Sequence, residues 1–447
     1  MRGLEAMSRS LDTVLLILYN TRHLLESQGR FSGRIKRKNA MENLYRSVLC
    51  FAGTTAVAAM SGIVFGEPQQ GMAWETSEIQ VRIDTAAANG GGRVTVKKGV
   101  HPCRTLCLKS GVELHLEEGA VLLGGANPDD YDDVIPSEMV YRYGDTNMTP
   151  TVTRKAFLFA DCATNIAITG KGTIDLQGPE FFDHNTTLWG CFWAKPPLPR
   201  PRAVVMYRCH GIRMEGVTFK DCPLWTMWLR LCDDIDMDGI SVDAEQKMIN
   251  SDGIDFDGCR QVRLGNSFFK TGDDCVVLRA IRDELRRDVP IVTEDVVVSN
   301  CVFNTPCQGV RIGCPSDDTI RNAVFRNIEF HGRNAIGSQQ PRHYLTMGDN
   351  GYLKTENILF ENWKVESSGC PLELFVGENI KLRDFGHMTF RNFVVKSDKP
   401  FVIRGNERSP VVDMKFENIK GVIHGRPFDM AYAIGLSFGE IEIGDKN

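Results

Sequence analysis

Cys209-His210-Gly211-Ile212-Arg213-Met214 is one copy of a pattern that returns along most of the chain. The next copies are Cys232-Asp233-Asp234-Ile235-Asp236-Met237 and Cys259-Arg260-Gln261-Val262-Arg263-Leu264, at spacings of 23 and 27 residues. In each copy a cysteine is followed by apolar residues that alternate with polar ones. Repeats of roughly 20–50 residues without helical periodicity indicate a solenoid of short β-strands.

Later copies end in asparagine after an apolar-polar-apolar run, as in Asn322-Ala323-Val324-Phe325-Arg326-Asn327 and Asn357-Ile358-Leu359-Phe360-Glu361-Asn362. Each copy predicts one short strand followed by a turn. Stacked coils would bring the asparagines into a ladder of side-chain amides that bond above and below. Several of the fourteen cysteines recur in the same phase, so we expect them to be buried in the core as small apolar residues.

One helix is predicted from Thr76 to Asn89, with Ile79 and Ile83 on its apolar side. Ser77 and Gln80 have the spacing of a capping box. An amphipathic helix ahead of a long run of strands is typical of a cap over the open end of a solenoid. The predicted fold class is therefore all-β, a β-solenoid with an N-terminal capping helix.

Residues 1–66 are predicted to be an N-terminal extension with an export signal. Basic residues precede an uncharged run from Ser47 to Gly66, and Ala56-Val57-Ala58 has the small-x-small form of a cleavage site. A membrane anchor is the alternative, because twenty uncharged residues could span a bilayer. Residues 67–447 are predicted to be a single β-helix catalytic domain, exported to the periplasm or the extracellular space.

The balance of charge argues against a nucleic-acid partner. Residues 1–66 carry nine Lys/Arg and four Asp/Glu, which leaves 43 Lys/Arg and 53 Asp/Glu in the remainder. Nucleic-acid-binding domains carry a basic footprint, and this body is acidic. An acidic polysaccharide would need local cations for the same reason.

Two polar stretches carry the candidate chemistry: Asn250-Ser251-Asp252-Gly253-Ile254-Asp255 and Thr271-Gly272-Asp273-Asp274-Cys275. The 21 residues between Asp252 and Asp273 are close to one repeat, so the stretches should lie on neighbouring rungs, roughly 5 Å apart. A carboxylate cluster held on a rigid sheet is typical of a glycoside hydrolase. Asp255 and Asp257 alternate with apolar residues and are predicted to lie on the solvent side of a strand.

These stretches resemble the paired signatures of glycoside hydrolase family 28, the polygalacturonase family, and the resemblance extends from about Trp74 to Asn418. It implies a right-handed parallel β-helix and inverting hydrolysis of a polysaccharide or oligosaccharide. Asp273 would be the general acid, while Asp252 and Asp274 would hold and deprotonate the attacking water. The resemblance implies no cofactor, and the sequence shows no histidine or cysteine constellation for a metal.

The chain departs from the family pattern at two places. Cys307-Gln308-Gly309 stands where the family has Gly-His-Gly, and Ala335-Ile336-Gly337 stands where polygalacturonases have Arg-Ile-Lys. Three interpretations remain open: a neutral or differently charged substrate, another cation that takes over, or lost activity. The candidate cations are Arg279, Arg311, Arg333 and Arg342.

Substrate contacts are expected from Asn250, Gln308, Arg279, Arg311 and Trp225. Trp189 and Trp193 are further candidate sugar platforms, with core packing as the alternative for each tryptophan. Tyr344 and Tyr352 are candidates for a late tyrosine in the cleft. Long inserts at 180–202 and 338–352 favour exo action or short substrates.

The sequence therefore predicts an exported, monomeric, inverting glycosidase that acts on a pectin-like or related glycan. Two alternatives remain: a polysaccharide lyase and a non-catalytic glycan-binding β-helix.

Overall fold

The computed structural model describes residues 74–139, 153–188, 190–194, 199–282, 289–313, 316, 318–340 and 353–445. All of them lie within one compact unit, Phe65–Asn447. The predicted export signal in residues 1–66 lies outside the described residues, and the boundary at residue 67 stays a prediction. Within the described ranges, no helix has the length and apolar character needed to cross a membrane.

Helix α1 spans Thr76–Ala88, and single 3-10 turns span Pro128–Asp130, Ser137–Met139 and Gly178–Phe181. The strands are β1 Gly92–Val96, β2 Gly99–Pro102, β3 Leu106–Cys107, β4 Val112–Leu116, β5 Ala120–Leu123, β6 Ala156–Asp161, β7 Thr164–Gly170, β8 Thr173–Asp175, β9 Asp183–Leu188, β10 Phe192–Ala194, β11 Arg202–Tyr207, β12 His210–Glu215, β13 Thr218–Lys220, β14 Met227–Arg230, β15 Asp233–Asp238, β16 Ser241–Asp243, β17 Ile254–Asp257, β18 Arg260–Gly265, β19 Phe268–Lys270, β20 Val276–Arg279, β21 Val292–Ile312, β22 Thr319–Gln340, β23 Lys354–Ser367, β24 Leu372–Val376, β25 Phe385–Ser397, β26 Phe401–Arg404, β27 Val411–Ile423, β28 Phe428–Ala431, β29 Ala433–Ile434, β30 Ser437–Phe438 and β31 Ile441–Asp445.

The strands form three parallel ladders that run the length of the coil. The first ladder begins β1-β4-β7-β12-β15-β18, and the second begins β2-β5-β8-β13-β16-β19. The third begins β3-β6-β11-β14-β17-β20. The long strand β21 bends through all three, and β22 continues them into β23 and β24. This is the predicted right-handed parallel β-helix.

Every second residue along each strand points into the core, and residues at the same position of successive repeats stack there as predicted. Cys209, Cys232 and Cys259 are all buried on successive coils, as expected. In the later coils a column of phenylalanines, one per repeat, has ring centroids 5.0–5.4 Å apart: Phe325, Phe360, Phe390, Phe416 and Phe438. One core therefore runs through the whole coil.

The predicted asparagine ladder is present at the turn after the first-ladder strands. Asn327 Nδ2 donates to Asn300 Oδ1 at 2.9 Å, and Asn362 Nδ2 donates to Asn327 Oδ1 at 2.9 Å. The ladder continues through Asn392 and Asn418. Each of these residues has a φ of 54–58°, a conformation that asparagine tolerates better than most residues.

Helix α1 begins and ends within one residue of its predicted bounds, and Ile79 and Ile83 are buried against the first coil. The predicted capping box is wrong. Glu75 is the N-cap residue and makes no side-chain cap hydrogen bond. Gln80 instead donates to the carbonyl of Cys107 at 3.0 Å and accepts from its N–H at 2.8 Å. Gln80 therefore satisfies the backbone of β3, at the edge that the helix covers.

A second apolar cluster covers the outer side of the third ladder. It contains Ile135, Val205, Trp225 and Trp228, among others. Third-ladder residues such as Ile254 and Phe256 pack into the main core, so the residues between them point towards this second cluster. The outer side of β14 and β17 is therefore not a solvent face.

Candidate active site

Asp252 lies in the loop before β17, and Asp273 and Asp274 lie in the loop before β20. These strands are neighbours in the third ladder, with Ile254 opposite Val276. The loops are joined as well, because the N–H of Gly253 donates to the carbonyl of Asp274 at 2.8 Å. The structure thus brings the three predicted carboxylates together on adjacent rungs.

Asp273 is the most accessible of the three acids: it is half-buried, whereas Asp252 and Asp274 are each 2% exposed. Asn250 donates to Asp273 Oδ2 from its backbone N at 3.0 Å and from Nδ2 at 3.4 Å. The backbone N–H of Asp274 donates to Asp273 Oδ1 at 3.1 Å. Asn250 was predicted to bind substrate, and the contact that the structure shows is this one, which orients Asp273.

Asn250 is itself held by Arg200, which lies in the insert at 180–202 and to which the sequence analysis gave no role. Arg200 donates to the carbonyls of Ile249 and Pro223 at 2.7 and 2.8 Å, and to Asn250 Oδ1 at 3.0 Å. Burial lowers the pKa of the Arg200 guanidinium to about 10, although Asp252 and Asp273 favour its charge. An arginine between two prolines was the only signal in the sequence.

Arg311 forms an ion pair with Asp274. Its Nε lies 2.5 Å from Asp274 Oδ2, and its Nη2 donates to Oδ1 at 3.3 Å. Burial raises the pKa of Asp274 to about 6, with Arg311 opposing the rise and Asp273 adding to it. Arg311 was predicted to contact substrate; the partner that the structure shows is a catalytic candidate.

Arg279 and Trp225 were predicted to contact substrate, and the contacts that the structure shows for both are with other protein side chains. Each is 3% exposed. Arg279 Nε donates to Asp255 Oδ1 at 2.6 Å, and its Nη2 lies 3.8 Å from Asp252 Oδ2. The Trp225 ring packs against two guanidinium groups, with its centroid 4.5 Å from Cζ of Arg279 and 5.1 Å from Cζ of Arg202. Arg279 and Trp225 therefore lie beneath the acids, on the side where the second apolar cluster excludes solvent.

The prediction that Asp255 and Asp257 face solvent is wrong, since both are fully buried. Asp257 Oδ2 accepts from Arg230 Nη1 at 2.6 Å, and its Oδ1 accepts from the N–H of Ile281 at 3.0 Å. Burial raises the pKa of Asp255 to about 6, against the charge of Arg279. Strand alternation predicted their side of β17 correctly but not the arginines and the apolar cluster that cover it.

Asp252 is buried beside the other carboxylates of the site. Burial raises the pKa of Asp252 well above its usual range, and Asp273, Asp255 and Asp274 raise it further, while Arg279 opposes them. Its Oδ1 is buried with no hydrogen-bond partner among the described residues. Clustered carboxylates cannot all ionise at modest cost, so the three acids retain a proton near neutral pH.

Gln308 stands where the family pattern has histidine, and it is 2% exposed. Its Nε2 donates to Gln339 Oε1 at 2.6 Å. Gln308 pairs in register with Asn334 on the next rung. Gln308 was predicted to contact substrate. The contact that the structure shows is its hydrogen bond to Gln339, which is more exposed.

Cys307 lies beside the acids. One ligand atom from each of Asp273, Asp274 and Cys307 falls within 4.8 Å of the others, the single such group among the described residues that could hold a metal ion. Burial and the two carboxylates raise the pKa of the Cys307 thiol well above its usual range. A protonated thiol is a poor metal ligand, and we assign the group to the acid cluster.

The remaining sequence candidates are scattered. Trp193 stacks on His184, with ring centroids 3.9 Å apart, in the antiparallel hairpin β9–β10. Arg333 is exposed. Trp189, Arg342, Tyr344 and Tyr352 lie outside the described residues.

Comparison with known families and curated proteins gives one consistent match. The model of Glycosyl hydrolases family 28 matches residues 143–340. A protein of Vitis vinifera described as "Probable polygalacturonase" is 23% identical over 331 residues, which cover 72% of this chain and 63% of that protein. The chain covers 55% and 38% of the next two curated relatives, so it spans less than two thirds of their length.

Solved structures share the fold. An exopolygalacturonase from Thermotoga maritima superposes with a TM-score of 0.66 at 20% identity, over 84% of this chain and 90% of that one. A family 28 exopolygalacturonase from Yersinia enterocolitica gives a TM-score of 0.59 at 20% identity, over 85% and 77%. At 20% identity this similarity establishes the β-helix fold and nothing further.

Proposed function

Because this chain is a divergent member of glycosyl hydrolases family 28, we propose that it hydrolyses a glycosidic bond in a pectin-like or related polysaccharide or oligosaccharide, with inversion. The observation that carries the proposal is the cluster of Asp252, Asp273 and Asp274 on adjacent rungs, with Asp273 alone half-exposed.

In the proposed reaction Asp273 donates its proton to the glycosidic oxygen as the bond from that oxygen to the sugar carbon breaks. Asp252 and Asp274 hold a water molecule, and one of them takes a proton as the water oxygen bonds to the same carbon. Inverting enzymes need carboxyls roughly 6.5–9.5 Å apart for this water. Asp252, on the rung next to that of Asp273, can supply such a separation, whereas Asp274 lies closer, with a carboxylate oxygen within 4.8 Å of one of Asp273.

The electrostatics support this division of labour. Asp274 becomes an ionised base because Arg311 stands against its carboxylate. Burial of Asp252 keeps a proton in the cluster, and that proton belongs to the coupled group rather than to one residue. That proton can therefore be passed to Asp273, the most exposed of the three acids.

The test is a reducing-end assay of the full chain against polygalacturonate, rhamnogalacturonan, xylogalacturonan and neutral oligosaccharides. Asp273→Asn should lower the rate by about 10²–10⁴-fold, the usual contribution of a general acid. Asp236→Asn, an exposed aspartate on a first-ladder strand, should leave it unchanged. Proton NMR of the first product should show the inverted anomer.

Other outcomes would select the alternatives. A product with ultraviolet absorption from a new double bond would identify a lyase. Tight binding without new reducing ends would identify a glycan-binding β-helix. Full activity of Asp273→Asn would overturn the assigned role of that residue.

Export through residues 1–66 and a monomeric state belong to the same proposal. The uncharged run Ser47–Gly66 supports the first. N-terminal sequencing of protein recovered outside the cytoplasm should find residues 1–58 removed, and an intact N-terminus would contradict export by cleavage. Light scattering would report the mass in solution.

A further inference from the structure

Beyond the acids, the third ladder carries a second polar group along the same side of the coil. Arg311 on β21 pairs in register with Gly337 on β22, and Gly337 pairs with Glu373 on β24. Two rungs correspond to about 10 Å. Glu373 therefore lies further along the coil than the ion pair of Arg311 and Asp274, within reach of a sugar chain bound across Asp273.

Four side chains meet in this second group. Glu373 Oε2 accepts from Asn334 Nδ2 at 2.8 Å and from Gln339 Nε2. Gln339 Oε1 accepts from Gln308 Nε2 at 2.6 Å. Asn334 is fixed in turn, because its Oδ1 accepts from the N–H of Cys370 at 2.9 Å. The carboxylate is thus held in place by neutral amides on both sides.

Glu373 and Gln339 are half-buried, whereas Asn334 and Gln308 lie beneath them at 4% and 2% exposure. Among the described residues, Glu373 Oε1 has no hydrogen-bond partner. The upper pair can therefore contact a ligand while the lower pair sets its orientation.

The chemistry of this group suits sugar hydroxyls and opposes a sugar carboxylate. A hydroxyl can donate to Glu373 and accept from an amide N–H, because it is both donor and acceptor. A uronate beside Glu373 would place two like charges together, which disfavours binding. The cation in register with Gly337 and Glu373, Arg311, is already engaged with Asp274.

We propose that Gln308, Asn334, Gln339 and Glu373 form a subsite for an uncharged sugar residue and that Glu373 excludes a uronate from it. The proposal rests on the proposed hydrolase function and names the substrate class at one subsite. The departure of Gln308 and Gly337 from the family pattern then marks a changed specificity rather than lost activity.

The experiment measures binding by calorimetry to Asp273→Asn, which removes turnover. The two ligands are the galacturonic acid trisaccharide and the same trisaccharide with its carboxyl groups reduced to alcohols, so that only charge and its acceptors differ. We expect the reduced ligand to bind at least 10-fold more tightly. In the double variant Asp273→Asn/Glu373→Gln, the ratio of the two affinities should fall several-fold, chiefly because the acidic trisaccharide binds more tightly.

Arg333→Ala is the matched control, since Arg333 is an exposed cation one residue before Asn334. It should leave both affinities unchanged. Tighter binding of the galacturonic acid trisaccharide than of the reduced one would overturn the proposal, as would binding of neither ligand by folded protein. If Arg333→Ala weakened that tighter binding, Arg333 would be the cation that holds the acidic sugar.

The two proposals fail separately. If the wild-type chain hydrolyses glycans but prefers the acidic trisaccharide, the subsite is wrong and the hydrolase function stands. If the reduced ligand binds as expected but no glycan is cleaved, the subsite stands and the hydrolase function fails.

Discussion

The side chain of Gln308 occupies the space where a side chain at position 337 would begin. A Cβ on Gly337 would lie 1.7 Å from Gln308 Oε1, far inside van der Waals contact. Gln308 and Gly337 are two of the positions at which the sequence departs from the pattern of the family that it resembles. A larger residue at position 337 therefore does not fit beside the Gln308 amide in this arrangement.

Gly337→Ala should therefore displace the Gln308 amide and, through it, Gln339. We expect loss of unfolding free energy and weaker binding of the glycan that proves to be the substrate. Gln308→Ala in the same chain should relieve the clash, with a coupling energy of about 0.5–3 kcal/mol. Chemical denaturation of the two single variants and the double variant measures this coupling, and strict additivity would contradict the contact.

Arg311→Gln should move the acid limb of the pH–rate profile towards higher pH. In the proposed mechanism Asp274 must be ionised to act as the base. Burial raises its pKa to about 6, and Arg311 opposes that rise. Without the guanidinium the carboxylate ionises only at higher pH, so kcat/KM at pH 6 should fall while activity at high pH is retained better. Arg311→Lys keeps the charge and should shift the limb less. An unchanged limb in Arg311→Gln would separate Asp274 from the base role.

Arg279→Met should destabilise the fold more than any surface arginine variant. It leaves the fully buried Asp255 without its partner, and removing one member of a buried ion pair costs about 3–5 kcal/mol. Arg260→Met is the control, because Arg260 is 53% exposed in its pair with Glu294. That change should cost about 0–1 kcal/mol. If Arg279→Met and Arg260→Met unfolded at the same urea concentration, the buried pair of Arg279 and Asp255 would contribute no more to the free energy of unfolding than a surface pair.

The asparagine ladder allows a matched pair of variants at Asn327. Asn327→Ala loses the amide bonds to Asn300 and Asn362 and places alanine at φ +56°. Asn327→Gly loses the same bonds but tolerates the left-handed backbone. We expect alanine to be the less stable of the two by about 1 kcal/mol, the cost of a left-handed residue with a Cβ. Thermal unfolding of both variants measures the difference, and a more stable alanine variant would mean that the backbone relaxes.

The repeat, the helix before it and the spacing of the acids were all readable from the sequence. Period-2 alternation and a coil of 23–27 residues determine which side chains stack, since one coil later means one rung above. Hence the cysteine column, the asparagine ladder and the adjacency of Asp252 to Asp273 could be predicted. The capping box at Ser77 could not be excluded, because the spacing is the same whether Gln80 turns back to the helix or across to Cys107.

Only the tertiary structure determines what packs over each face of a strand. Alternation shows that Asp255 and Ile254 face opposite ways, but not that Arg279 and the second apolar cluster bury Asp255. In the sequence Trp225 is equally suitable as a sugar platform or as a packing residue, and only the structure shows that Arg202 and Arg279 pack against its ring. Arg200 and Glu373 reach the site from an insert and from a coil about 100 residues beyond Asp273. Contacts of that kind depend on three-dimensional proximity, which local periodicity does not encode.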